Sequence, residues 1–308
     1  MEGRSRSRIR VGLFVRFARV QFIPVVLAPI VVGSAAAFVS MHYVNLAYVG
    51  LLLLAAAFLH VASNSIDDVY DFLNGVDTVS DRMFPKEFPG WKPIPRGLMT
   101  VSQAFAISFL FYALSLAIGV YFSLVVGWLA IAIAVPGVLL SYFYVAPPLK
   151  LDYRGLGLGE LSIFLGFGPI PALGAFYVLT GTLRILPVLV SVPCGLLTMN
   201  VLLTHDMAFF GPYSAAGKRS LTVVLGRSRT EGLTVFSVAA AYFAVVLLAL
   251  LKEVAPTVLL ILLAVPILLR TGLKPAKERS VPEYAHRAKM LFLHSVVFSL
   301  LLALGMIL

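Results

Sequence analysis

With 308 residues, 60% of them hydrophobic and 12% charged, and a mean hydropathy of +0.97, the chain is too apolar for a water-soluble domain, which carries roughly 45–50% apolar and 25% charged residues. The formal net charge of +10 raises nucleic acid as a partner, but a basic balance kept to one side of a multi-pass membrane protein accounts for it, and no nucleic acid is expected. The single cysteine, Cys194, lies in an apolar run, which excludes a disulfide framework within one chain and reads as a small buried residue.

The chain starts with MEGRSRSRIR, a basic stretch without a small-residue cleavage site before a short apolar core, which predicts a cytoplasmic tail and not a signal peptide. Apolar stretches follow at 17–40, 45–73, 101–122, 124–144, 157–180, 185–210, 230–252, 256–271 and 287–308. Each is near the roughly 17–25 residues that a membrane helix needs. They are continuously apolar instead of alternating, which favours helices over a barrel. The expectation is an all-α integral membrane protein: nine transmembrane helices around a central cavity, one domain over 1–308 with two similar halves at about 17–144 and 157–308.

With nine spans, the N-terminal tail and the loops after the second, fourth, sixth and eighth helices share one face. That face and the helix ends beside it hold all of the 24 Lys and Arg residues except Arg184 and Lys252, and all of the 14 acids except Glu253. Positive charge in short loops stays cytoplasmic, so the reading is a multi-pass cell-membrane protein with its N-terminus and equipped loops inside. The positive-inside rule does not recruit acids, so their presence on that face calls for chemistry.

The second span ends in HVASNSIDDVYDFLNGVD at 60–77. At about 100° per residue, His60, Asn64, Asp67, Asp68 and Asp71 fall within an arc of about 100° and form one polar stripe. Three carboxylates so close repel one another, and charge in hydrocarbon costs roughly 2.5–3.5 kcal/mol per residue. Hard divalent cations take oxygen ligands, and magnesium usually takes one or two carboxylates plus substrate phosphates, so the stripe predicts an Mg2+-bridged phosphate site. The sixth span offers a faint repeat: Asn200, then His205 and Asp206. Basic, glycine-containing loops follow both, KPIPRG at 92–97 and GKRS at 217–220.

A diphosphate needs metal to sit among carboxylates and Lys or Arg for its remaining oxygens. Arg19, Lys92, Arg96, Lys150, Arg154, Lys218 and Arg219 lie on the predicted face. A polyprenyl diphosphate suits such a charged mouth above an apolar interior, because its tail can lie among Phe, Leu and Val side chains. Ionising its allylic C–O bond leaves a carbocation that aromatic faces shelter, and Tyr142, Phe143 and Tyr144 are near the right end.

At these residues the chain resembles the UbiA family of membrane prenyltransferases, closest to its menaquinone-biosynthetic, 1,4-dihydroxy-2-naphthoate prenyltransferase-like branch. The family's N-D-x-x-D motif and G-V-D-T turn are matched by Asp67-Asp68-Val69-Tyr70-Asp71 and Gly75-Val76-Asp77-Thr78, with Asp67 in place of the usual Asn and Asn64 one turn earlier. KPIPRGLMTVSQA at 92–104, YVAPPLKLDYRGLGLGE at 144–160, GFGPIPALGAFYVLTG at 166–181 and GKRSLTVVLGR at 217–227 are similar to further family segments. Arg19 falls where the family has its first-helix arginine. The resemblance implies two magnesium ions and transfer of a prenyl group from a polyprenyl diphosphate to a lipophilic or aromatic acceptor. It assigns Asn64, Asp67, Asp68, Asp71 and Asp206 to Mg2+. Arg19, Lys92, Arg96, Arg154, Lys218 and Arg219 fall to the diphosphate, and Tyr144 and Lys150 lie near the departing oxygen. The family's second motif, D-x-x-x-D, is not met, because no second acid follows Asp206 before Gly217. Either an insertion leaves the second metal one carboxylate short, or His205 or a water takes the place. A naphthoate-type acceptor is favoured, with a glycerol-phosphate ether lipid as the alternative; His286, Glu283 and Arg287 are candidate acceptor contacts. A secondary transporter with midplane acids is the alternative from another class.

Overall fold

The computed structural model describes residues 11–84, 90–271 and 279–308; the basic tail expected at 1–10 lies outside them. A short helix α1 (Val11–Phe17) leads through Arg19, in the left-handed region at φ 47°, into a 3-10 turn at Val20–Phe22 and helix α2 (Ile23–Met41). Asn45 then caps helix α3 (Leu46–Leu73), its side-chain oxygen accepting from the Ala47 and Tyr48 amides. The chain turns at Gly75, with φ 81°, into helix α4 (Val76–Met83). A capping box of Thr100 and Gln103 opens helix α5 (Val101–Val125), which Gly127 at φ 147° separates from helix α6 (Leu129–Phe143).

The second half begins with a 3-10 turn at Leu151–Tyr153, then helices α7 (Leu158–Gly166) and α8 (Pro169–Thr180). These two form one broken span. Pro169 has no N–H to continue the ladder, and the Gly168 backbone lies so close to α9 that a Cβ there would stand 2.8 Å from the Ser191 carbonyl oxygen. Helix α9 (Leu186–Ala208) is followed by short helices α10 (Phe210–Ala215) and α11 (Leu221–Leu225), then by helix α12 (Arg227–Leu250). A 3-10 stretch, Pro256–Ala264, runs into helix α13 (Val265–Leu269), and a Ser280–Glu283 capping box opens helix α14 (Val281–Ile307).

The protein is all-helical among the described residues, and seven segments are long and apolar enough to cross a membrane. The expected count of nine is not confirmed. The predicted fourth and eighth spans are the shorter apolar segments Leu129–Phe143 and Pro256–Leu269. Fifteen residues of α-helix rise about 22 Å, less than the roughly 30 Å hydrocarbon core. Helices α2 and α9 are the most buried of the seven spans. Val32, Phe176, Leu197, Ile261 and Phe298 form the main core around them, and Val26, Ile30, Leu52 and Phe122 a second. Leu110, Leu124, Phe236, Phe243 and Leu263 stay exposed, as a lipid-facing surface demands.

Small residues bring the backbones together. A Cβ on Gly33 would lie 2.3 Å from the Ala172 carbonyl oxygen, and one on Gly195 2.4 Å from that of Phe164. Such close approach is how helices associate where lipid supplies no hydrophobic drive. A cavity of about 340 Å³ lined by Val39, Lys252, Glu253 and Met306 sits at the C-terminal end of α2. The acids gather at the other end of that helix.

Candidate active site

Helix α3 carries its polar stripe in about its last four turns, where the chain between α1 and α2 crosses it. Arg19 donates from Nη1 to Asn64 Oδ1 (2.8 Å) and from Nη2 to Asp67 (2.9 Å) and Asp68 (2.5 Å). Asn64 in turn donates to the His60 carbonyl (2.8 Å), and buried His60 lies against the Arg19 carbonyl (3.3 Å). From the loop after α4, Lys92 donates to Asp68 and stands 3.6 Å from Asp77. Burial opposes the charge on both bases. Asp68 and Asp67 more than offset it for Arg19, and Asp68 and Asp77 do so for Lys92, so both are held above their ordinary pKa.

The centre of the site is Lys218, which is 2% exposed. Its Nζ lies 3.4 Å from Asp71 and 2.7 Å from Asp152, and 4.5 and 4.9 Å from the ring centroids of Tyr213 and Tyr153. Tyr153 also donates to Asp71. Lys218 therefore joins the acids of α3 to a second group, in which one carboxylate oxygen each from Asp152, Glu160 and Asp206 lies within 4.8 Å of the others. Burial, opposed by Lys218 and reinforced by Asp206, pushes the Asp152 carboxyl well above the usual carboxylate range. Burial likewise raises Asp77, against the pull of Lys92.

Acids from α3 and α9 thus meet at one end of the bundle. Counted as ions, the seven carboxylates of Asp67, Asp68, Asp71, Asp77, Asp152, Glu160 and Asp206 face three contacting cations, Arg19, Lys92 and Lys218, which leaves a formal −4. Asp77 Oδ2, Asp152 Oδ1, Glu160 Oε1 and Asp206 Oδ2 are buried without a hydrogen-bond partner. Of these, Asp77 Oδ2 keeps an ion pair with Lys92; the other three are carboxyl oxygens without a donor in a dry pocket, which are expensive and are the ligands that Mg2+ takes, so the residues present fit that ion.

Other expected residues take different places. Arg96 bonds Asp81 (2.8 Å) and lies over the Trp91 ring, and exposed Arg154 is held by the Leu149 and Pro148 carbonyls of its own loop. Arg219 is exposed. Lys150, at φ 45°, donates to Asn74 Oδ1 (2.8 Å). The Tyr144 hydroxyl is buried and unbonded, and burial together with Asp152 and Asp206 pushes its pKa far up. His205 is half exposed, stacks on Phe209 at 4.4 Å and stands 3.4 Å from Asp206. Of the candidate acceptor contacts, Arg287 is buried on Glu231 and Glu283 caps α14. The structure adds Asp77, Asp152, Glu160, Tyr153 and Tyr213 to the site. For the three acids the signal in the sequence is rarity, since each stands close to a glycine in a chain with few acids; the two tyrosines carry no such signal.

Residues 26–296 match the model of the UbiA prenyltransferase family. The chain belongs to that family. It is therefore a prenyltransferase, embedded in the membrane as a multi-pass protein. Among UbiA relatives, the 1,4-dihydroxy-2-naphthoate octaprenyltransferase of Bacillus subtilis is 23% identical over 215 residues, 70% of this chain and 67% of that one. The enzyme of the same name from Haemophilus influenzae is 27% identical over 83% of each chain. A UbiA homologue from Archaeoglobus fulgidus, solved with DMAPP and Mg2+, superposes with a TM-score of 0.60 over 92% of this chain and 98% of that one. At 18% identity it shows the fold.

Proposed function

We propose that this UbiA protein transfers an isoprenoid chain from a polyprenyl diphosphate to an aromatic acceptor of the naphthoate or quinone-precursor type, and that it does so with Mg2+. The excess of acidic side chains over contacting cations carries the reading: seven acids against three bases leave no positive charge to spare for a diphosphate, and divalent ions would bring it while holding the acids in their ionised form. Asn64, Asp67, Asp68 and Asp71 would hold one ion and Asp206 contributes to the other. Bound magnesium supplies the positive charge that stabilises the departing diphosphate as its allylic C–O bond breaks.

The chain's own residues do the rest. Arg19 and Lys92 are anchored on the acids and turn their remaining N–H groups to the phosphate oxygens. Lys218 fixes the separation of the two acid groups. Lys150, from the loop after α6, and Tyr144 flank the leaving oxygen. Tyr70, Phe105, Phe109 and Tyr142 form a chain of ring contacts beside α3, where an allylic cation and its tail find an apolar, electron-rich wall. The naphthoate-type acceptor rests on the names of the Bacillus and Haemophilus relatives. The acid-bearing end is assigned to the cytoplasm on the distribution of Lys and Arg.

The test is transfer of a labelled prenyl group by purified protein, offered 1,4-dihydroxy-2-naphthoate or a glycerol-phosphate ether lipid. Product forms with the naphthoate, and Asp68→Ala and Asp71→Ala each lower turnover by about 10²–10³-fold, the usual cost of losing charge stabilisation at a reacting group. Full activity in both variants removes the metal assignment; product with the ether lipid alone moves the acceptor.

A further inference from the structure

We infer that Asp152 and Glu160 complete, with Asp206, a second binding site for a hard divalent cation, supplying from the loop after α6 and the first turn of α7 the carboxylates that α9 lacks. The inference rests on the two-metal reading above and says which side chains hold the second ion.

The three residues come from separate parts of the fold, and each is nearly sealed from solvent: Asp152 is 3%, Glu160 4% and Asp206 1% exposed. Each also has an oxygen with no hydrogen-bond donor: Asp152 Oδ1, Glu160 Oε1 and Asp206 Oδ2. Three buried acids that come together, each with an oxygen lacking a donor, are costly in a folded protein, and a cation among them removes the cost. Oxygens on opposite sides of a bound ion stand about 4.2 Å apart for Mg2+ and about 4.8 Å for Ca2+. The three oxygens all lie within 4.8 Å of one another, close enough for one hard cation to reach each of them.

The approach of Asp152 is built into the backbone. Lys218 takes only its Oδ2, at 2.7 Å, which leaves Oδ1 directed elsewhere. Gly159, next to Glu160, gives Oδ1 its room: a Cβ there would stand 2.8 Å from Asp152 Oδ1 and 2.9 Å from its Cα. His205, half exposed and 3.4 Å from the other oxygen of Asp206, flanks the group. On α3, Asp67 and Asp68 are paired with Arg19 and Lys92, and Asp71 with Lys218 and Tyr153, whereas Lys218 is the one Lys or Arg paired with the triad among the described residues.

Binding of Mn2+ to purified protein in detergent, read by loss of the free-ion EPR signal, tests this without reference to turnover. Wild-type protein takes up two ions per chain. Glu160→Gln, which keeps the side-chain volume and leaves Lys218 untouched, takes up one, as does Asp152→Asn. Asp152→Glu keeps two, and Gly159→Ala weakens the second ion by at least about tenfold. Elution as a single species and an unchanged helical spectrum establish that each variant is folded. Retention of both ions in Glu160→Gln and Asp152→Asn overturns the inference and leaves the two-metal reading standing with Asp206 as its carboxylate. Uptake of no Mn2+ by wild-type protein overturns both.

Discussion

Lys218 shows how much a single side chain settles here. Its ammonium is buried between Asp71 and Asp152 and between the rings of Tyr153 and Tyr213, so replacing it with Met strands two carboxylates in a dry pocket. Breaking a buried pair by removing one partner costs roughly 3–5 kcal/mol. Lys218→Met therefore lowers the thermal unfolding midpoint of the detergent-solubilised protein, and Asp152→Asn in the same background recovers part of the loss; an unchanged midpoint contradicts the pairing. The sequence made Lys218 legible as a cation beside the acids. It did not show that Lys218 sits on two carboxylates at once, because side-chain partners depend on which loops meet. Arg154 illustrates the converse: its motif is recognisable, yet its guanidinium caps carbonyls of its own loop. Asp152 and Glu160 lay within quoted motifs, but their convergence on Asp206 is tertiary and has no spacing to reveal it.

At the scale of elements, continuous apolarity located every long helix, since hydrocarbon admits little else. The boundaries moved where local chemistry intervened. Helix α6 starts at Leu129, after the Gly127 break, and α14 starts at Val281 because the Ser280–Glu283 capping box and Pro282 nucleate it ahead of its apolar run. The interruption between α7 and α8 is another such feature: Phe167–Gly168 reads as apolar in sequence but is the place where the backbone nears α9. Helix contacts were less legible still, because glycines at an interface and on the lipid side look alike. Gly33 abuts Ala172, whereas Gly232 has open space around its would-be Cβ. Gly33→Ala is expected to destabilise by about 1–3 kcal/mol through forced separation of α2 and α8. Gly232→Ala should leave the melting midpoint unchanged or slightly raised, and equal effects at the two positions contradict this packing.

The whole molecule is a bundle with chemistry at one end. Its orientation is testable with single cysteines, since native Cys194 is buried and gives little background. In sealed right-side-out vesicles, Gly217→Cys is expected to resist an impermeant maleimide and Thr182→Cys, on the opposite loop, to react; the reverse pattern inverts the topology. The bundle's central claim is that carboxylates from α3 and α9 act together through divalent ions to hold a diphosphate. Calorimetric titration with a hydrolysis-resistant prenyl thiodiphosphate, with and without Mg2+, measures that directly. The account predicts binding with Mg2+, at least about 100-fold weaker binding in EDTA, and a similar loss in Asp68→Ala. Equal affinity with and without the metal would contradict it.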